Sequence, residues 1–332
     1  MTAPTANHPT PEPSPSAAPP APAQYTPPAA QYTPPAAPLG AAGLASEITA
    51  ELSSRLRTVR LHGFRHPTAP PPALVAVAHG SRHPGAAPTV RALLTRIRAL
   101  RPGLPVHLGH LELDRPLLTD TLAELRDATD ATGPVGSAGE VVLVPLLFGH
   151  GHHVTRDLPA ALAAAPHLTG RIAAPLGPHA LLVEALHARL LEAGFPTGPH
   201  HGGRPAVVLA AAGSRAARSA RDTARTARLL SARLGGVPVL PAYASAASPT
   251  VPEAVRTLVD RGHHPHDIAV AGCFAAPGHF ADRCAALAPG PAAAPLGDHP
   301  ALARLVLHRY DQALSARTGS GTEGIRAATV AV

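Results

Sequence analysis

No lysine occurs anywhere in the 332 residues, and tryptophan is missing as well. All 28 basic residues are therefore arginines, set against 21 acidic ones for a formal net charge of +7. The missing lysine excludes a Walker-type phosphate loop, which needs one at the nucleotide phosphates. Alanine, proline and glycine abound beside arginine, as a GC-rich coding bias writes, so an arginine here is informative only by its position. Aromatic residues make up 3%, too few for a platform that stacks single-stranded nucleic acid, and no basic run or nucleic-acid motif appears. The two cysteines, Cys273 and Cys284, form no CxxC pair, which excludes a disulfide framework and a thiolate metal cage and suits a reducing compartment. No apolar run approaches the roughly 20 residues that cross a bilayer, and the Met1 segment lacks a basic start followed by an apolar core. A cytoplasmic protein with neither nucleic-acid nor membrane partner is expected.

Residues 1–72 are rich in proline and alanine and contain the tandem repeat QYTPPAA at Gln24 to Ala30 and Gln31 to Ala37. Such a segment buries too little apolar surface to offset chain entropy and is expected to be disordered or polyproline-like, with one weakly helical patch at Leu44 to Leu61. A flexible tail is expected at 317–332.

Between the tails the chain repeats itself. LVAVAHGSR (Leu74 to Arg82) matches VLAAAGSR (Val208 to Arg215) at an offset of 133, which also pairs Pro105 with Pro238, Glu112 with Ser245 and Pro116 with Pro249. The offset falls to 127 where Val141 pairs with Ile268, Phe148 with Ala275 and Gly151 with Gly278, as extra length in the 129–139 loop of the first copy would cause. It falls to 120 where APLGPHALL (Ala174 to Leu182) meets APLGDHPAL (Ala294 to Leu302). Three blocks in one order imply a duplicated domain: copies at 73–193 and 205–316, with a linker at 194–204.

Each copy alternates apolar runs with helical spacing. In the first, strands are expected at Leu74 to Ala78, Val106 to Leu111, Val141 to Phe148 and Ile172 to Leu176. The spacing of Val90, Leu93, Leu94, Ile97 and Leu100 predicts a helix whose other face, Arg91, Arg96, Arg98 and Arg101, is solvated. Further helices are expected at Leu117 to Ala128 and Pro178 to Ala193. Strands interleaved with amphipathic helices imply an α/β fold with a parallel sheet covered on both faces, whose ligands bind beyond the carboxyl ends of the strands.

Those ends carry the chemistry. After the first strand comes His79-Gly80-Ser81-Arg82, after the second Glu112, and after the third Gly149-His150-Gly151-His152-His153. Imidazole and carboxylate are the donors expected for Fe²⁺, Co²⁺, Ni²⁺ or Zn²⁺, and a neutral imidazole accepts protons near pH 7. HGS alone also suits a simple turn. The histidine cluster in a glycine-bracketed loop is the more specific signal. His62, His66, His200, His201, His263, His264 and His266 fall in Gly/Pro-rich loops or the linker and are read as without a functional role.

VAHGSRHP (Val77 to Pro84), LELDRP (Leu111 to Pro116) and PLLFGHGHHVTRDLP (Pro145 to Pro159) together resemble the sirohydrochlorin chelatase and cobaltochelatase family of sirohaem and early cobalamin synthesis, the class without ATP-driven subunits. The resemblance covers residues 73 to 187 well. It implies two tandem chelatase-like (flavodoxin-like) domains facing across a cleft in one monomer. It also implies insertion of Fe²⁺ or Co²⁺ into sirohydrochlorin, with no cofactor beyond that metal substrate. His79 and His153 would be the metal and catalytic pair, assisted by Glu112. Gly80, Ser81, Arg82, Gly151, His152, Arg156 and second-copy Arg215 would contact the polycarboxylate ring.

The second copy departs from the pattern at all three points, with Ala212 for His79, Ser245 for Glu112 and Phe280 for His153; only His279 remains, opposite His152. It is expected to serve as wall and lid, with one working site on the first copy. The rival expectation is a histidine-rich carrier of metal or tetrapyrrole that turns nothing over.

Overall fold

The computed structural model describes residues 71–132, 139–196 and 203–316; the expected tails apart from Pro71 and Pro72, the helical patch at 44–61 and the middle of the linker lie outside them. The first lobe runs β1 (Ala73–Ala78), α1 (Ala86–Leu100), β2 (Val106–His110), α2 (Leu118–Thr132), β3 (Gly139–Pro145), a π-helical turn (His153–Asp157), α3 (Leu158–Ala163), β4 (Leu168–Ile172) and α4 (Ala180–Glu192). The second runs β5 (Ala206–Ala211), α5 (Ala217–Arg233), β6 (Val239–Tyr243), α6 (Val251–Asp260), a 3-10 turn (Pro265–Asp267), β7 (Ile268–Gly272), α7 (His279–Ala286) and α8 (Pro300–Ser315). The sheets are parallel throughout, ordered β2-β1-β3-β4 and β6-β5-β7.

Side chains alternate across a strand, and both sheets use the two faces accordingly. Leu74, Ala76 and Ala78 face a core shared with Val90, Leu93, Leu94 and Ile97 of α1. Val75 and Val77 face a second core with Leu118, Leu122 and Leu158. In the other lobe Val207 and Leu209 join the first of these cores, while Val208 and Ala210 pack on Val251, Ala254 and Leu258. Leu100, expected on the apolar stripe of α1, is exposed.

The strand registers carry the two offsets read from the sequence. Ala78 pairs with His110 as Ala211 pairs with Tyr243, and Ala76 with Val144 as Leu209 with Ala271. The fourth strand of the second lobe is reduced to a single bridge between Val270 and Ala292. Its counterpart β4 ends at Ile172, four residues before the expected end. The edge position lets polar Thr169 and Arg171 enter the strand, while Pro175 cannot extend a ladder; Ala173 and Leu176 instead bond singly to the carbonyls of Leu143 and Leu147.

The last helix of each repeat packs on the other repeat. Helix α8 lies against α1, β3 and β4, α4 lies against α5 and β7, and the two cross each other. Arg189 of α4 donates to the carbonyl of Leu296 at 2.9 Å, and Arg309, its counterpart 120 residues on, donates to the carbonyl of Leu176 at 3.3 Å. Glu184 and Arg304, also equivalent positions, pair with each other. The arginine face of α1 is therefore only partly solvated. Arg96 bonds Asp298 at 3.0 Å, Arg101 holds both carboxylate oxygens of Asp311, and Arg98 donates to the carbonyl of Val106.

Candidate active site

Each lobe turns sharply at the end of its first strand, and glycine is required there. Gly80 has φ +97°, and a Cβ on it would lie 1.7 Å from the carbonyl oxygen of Glu112; Gly213 has φ +94°, with 1.8 Å to the oxygen of Ser245. Positive φ is open to glycine at little cost, and no side chain fits so close to another backbone. The approach is sealed by the amide of Glu112 donating to the carbonyl of His79 at 3.0 Å, and by Ser245 to Ala212 likewise. Equivalent turns thus place His79 beside Glu112 in one lobe and Ala212 beside Ser245 in the other.

In the first lobe Nε2 of His79 lies 3.2 Å from Oε1 of Glu112. Nδ1 of His79 lies 3.3 Å from the carbonyl of Gly80, so both ring nitrogens face oxygens that only accept, and the single hydrogen of a neutral imidazole can serve just one of them. The nitrogen left without a hydrogen meets an oxygen lone pair, a spacing that calls for a second proton or a cation. The ring of His153 stands edge-on to that of His79, centroids 4.8 Å apart at 88°.

His153 is set by the π-helical turn, a local widening frequent at functional sites. The turn brings Asp157 back over the ring, with Nδ1 donating to Oδ2 at 2.6 Å. That bond fixes the tautomer and leaves Nε2 free to bind a metal or a proton, as carboxylate partners of ligating histidines do. Asp157 was not singled out from sequence, although its i,i+4 spacing from His153 was a usable signal. Among the described residues no group of three or more His, Cys, Asp or Glu side chains is arranged to hold a metal ion. His79, Glu112 and His153 approach pairwise around His79 and do not form a closed cage.

All three line a cleft of about 710 Å³ between the lobes, with Gly80, Ser81, Arg82 and Gly151, and with Ala212, Ser245 and Phe280 on the facing wall. His152, Arg156 and Arg215 are exposed and lie outside this lining. Nε2 of His152 lies 3.6 Å from Oδ1 of Asp157. Ser81 Oγ accepts the amide of His83 at 3.1 Å, which makes it first a turn residue. His110, also missed from sequence, borders the cleft while buried, bonded to the carbonyl of Pro116 at 3.1 Å. Cys273 borders it too, but burial pushes its thiol up to about 12, so it offers no thiolate near neutrality.

The CbiX family model matches residues 73–193 and 206–313, more than half of the chain and both repeats. The chain belongs to the CbiX family. Among curated proteins none matches it. Solved structures with this CbiX architecture include SirB from Bacillus subtilis with Fe³⁺, 22% identical, covering 74% of this chain and 97% of that one at a TM-score of 0.59. The sirohydrochlorin chelatase SirB from Bacillus subtilis subspecies spizizenii, in complex with cobalt, is 20% identical and covers 74% and 97% at 0.56. A CbiX described as the terminal enzyme for biosynthesis of sirohaem in denitrifying bacteria is 22% identical and covers 73% and 99% at 0.52. These likenesses establish the fold, two α/β chelatase-like domains in tandem. No described helix of this CbiX chain is long and apolar enough to cross a membrane.

Proposed function

We propose that the chain inserts a divalent metal, Fe²⁺ or Co²⁺, into sirohydrochlorin without ATP, working in the cytoplasm as a monomer whose two lobes close one site. The observation that carries this reading is the approach of His79 to both Glu112 and His153 within one cleft. A cleft of about 710 Å³ suits a large small molecule, since such sites run roughly 300 to 1,000 Å³. Family membership and the metal-bound SirB structures of the same fold support the choice of reaction.

Insertion exchanges two pyrrolic protons for the cation. In this reading the metal substrate is held by Nε2 of His79 with Glu112 and by Nε2 of His153, all neutral or anionic because ligating atoms must be deprotonated. As the ion moves to the ring, the imidazoles it leaves regain lone pairs and accept the pyrrolic protons. Arg82 at the cleft edge meets ring carboxylates. Across the cleft the repeat has lost the counterparts of His79, Glu112 and His153 and keeps His279, and Ala212 and Phe280 present an apolar wall to the flat face of the ring.

The test is a metallation assay of sirohydrochlorin with Fe²⁺, Co²⁺ and Ni²⁺ in competition, followed by absorption. Metal-dependent spectral conversion at catalytic protein supports the proposal and ranks the metals. Tight binding of metal or ring with no conversion would replace it by a carrier.

A further inference from the structure

We infer that Asp222, on the second lobe, is a positioning residue for the first lobe's histidine loop. This rests on the metallation reading and assigns the second lobe a role in it beyond a wall.

Oδ2 of Asp222 on α5 accepts two hydrogen bonds from one residue across the lobe boundary, the backbone N–H of His150 at 3.0 Å and its Nδ1 at 2.7 Å. Both side chains are largely buried, 17% exposed for His150 and 13% for Asp222. Bonds to a carboxylate are shorter and stronger than neutral ones, and these two fix the peptide and the ring of His150 together. The loop comes this close to α5 at a glycine: a Cβ at Gly149 would lie 3.1 Å from Ser219 Oγ.

The tie is one-sided. By the repeat offsets His150 corresponds to Pro277 and Asp222 to Thr89; a proline has no N–H to give and a threonine no charge to receive it. Other lobe contacts do obey the pseudo-symmetry, since Gly151 meets Ser214 as Gly278 meets Ser81. The Asp222–His150 bond is therefore no relic of a symmetric contact. It sits only on the side where His153 follows, three residues further along the same loop. Asp157 sets the ring of His153 from beyond, and Asp222 sets the backbone that leads into it.

The experiment compares Asp222→Ala, Asp222→Asn, His150→Gln and the double variant D222A/H150Q in the full chain. A misplacement of about 1 Å costs on the order of 100-fold in rate, so Asp222→Ala should lower kcat roughly ten- to 100-fold while KM for the ring stays within about twofold. Asp222→Asn keeps an acceptor oxygen and should recover most of the loss, and the double variant should be no slower than the slower single one. Histidine ring ¹⁵N spectra supply a readout that needs no turnover: the His150 Nδ1–H signal is lost in Asp222→Ala and the His153 ring signals move. A folded Asp222→Ala with unaltered kcat, or with unmoved His153 signals, overturns the inference. If that variant does not fold, His150→Gln, which removes the ring donor, is judged by the same two readouts: lowered kcat with moved His153 signals supports the inference, and unaltered kcat or unmoved signals overturns it. If the wild-type chain metallates nothing, the metallation reading fails, while the spectra still decide whether Asp222 positions His153.

Discussion

The phenol of Tyr310, in the last helix of the second repeat, donates at 2.6 Å to the carbonyl of Pro72, at the threshold of the first strand of the first repeat. Tyr310 is 1% exposed, and Arg101 of α1 lies over its ring, 5.8 Å from the centroid. A second-repeat side chain thus fills the first lobe, so the degenerate repeat has a structural task whatever became of its ligands. Truncating a buried aromatic costs about 3 to 5 kcal/mol. Tyr310→Ala should lose that much in urea unfolding, and both lobes should unfold in one transition. Two separate transitions, with the second lobe alone affected, would contradict the helix exchange.

Removal of either imidazole should stop metallation while leaving the fold. His79→Ala and His153→Ala should each lower kcat about 100- to 10,000-fold, the usual worth of a positioned acid or base, measured with melting curves near wild type. Transferring histidines to the facing wall, A212H with F280H, should not rescue either loss, because the second lobe has neither the Glu112 carboxylate nor an equivalent of Asp157. Recovered turnover would show a competent second site.

Phe280 is unusual in leaving a large apolar ring about 36% exposed inside a cleft. Aromatic contacts contribute about 0.5 to 1.5 kcal/mol beyond the area they bury. Phe280→Ala should therefore raise the ring's Kd roughly three- to tenfold, read from tetrapyrrole fluorescence without metal, with little change in kcat. An unaltered Kd would remove Phe280 from the ring's seat.

Two histidines cap the exchanged helices. Nδ1 of His179 accepts from the amide of Leu181, and Nδ1 of His299 from that of Ala301, each at 3.1 Å. Burial lowers the pKa of both, helped by Arg309 and His308 beside His179 and by Arg189 beside His299. A folded-state pKa below the unfolded value of about 6.5 means that the unfolded chain binds protons more readily. Their contribution is then present above pH 6.5 or so, and it is lost as pH falls through the folded values. The midpoint of urea unfolding should drop between pH 7.5 and 5. Asparagine is a good cap and does not titrate, so the double variant H179N/H299N should flatten that dependence. An equally steep curve would assign it to other groups.

Much of this was legible in the linear chain. Short apolar runs and helical spacing located strands and helices, because burial is written in local patterns of apolar residues, and the repeat offsets of 133 and 127 reappear in the strand registers. The HGS turn, Glu112 and the GHGHH loop were placed at strand ends by the parallel-sheet rule alone. Local patterns failed at the edges: β4 was displaced because an edge strand is half polar, and Arg96 and Arg101 looked solvated because their partners Asp298 and Asp311 lie some 200 residues away.

By itself the sequence determined the duplication, the α/β class and the one repeat that keeps its donors, since each is written in residue type and spacing. Tertiary structure alone decided that the final helices trade lobes and that Asp222 reaches the histidine loop from the other lobe. Those outcomes depend on which distant surfaces exclude water together, and no spacing along a single chain encodes that.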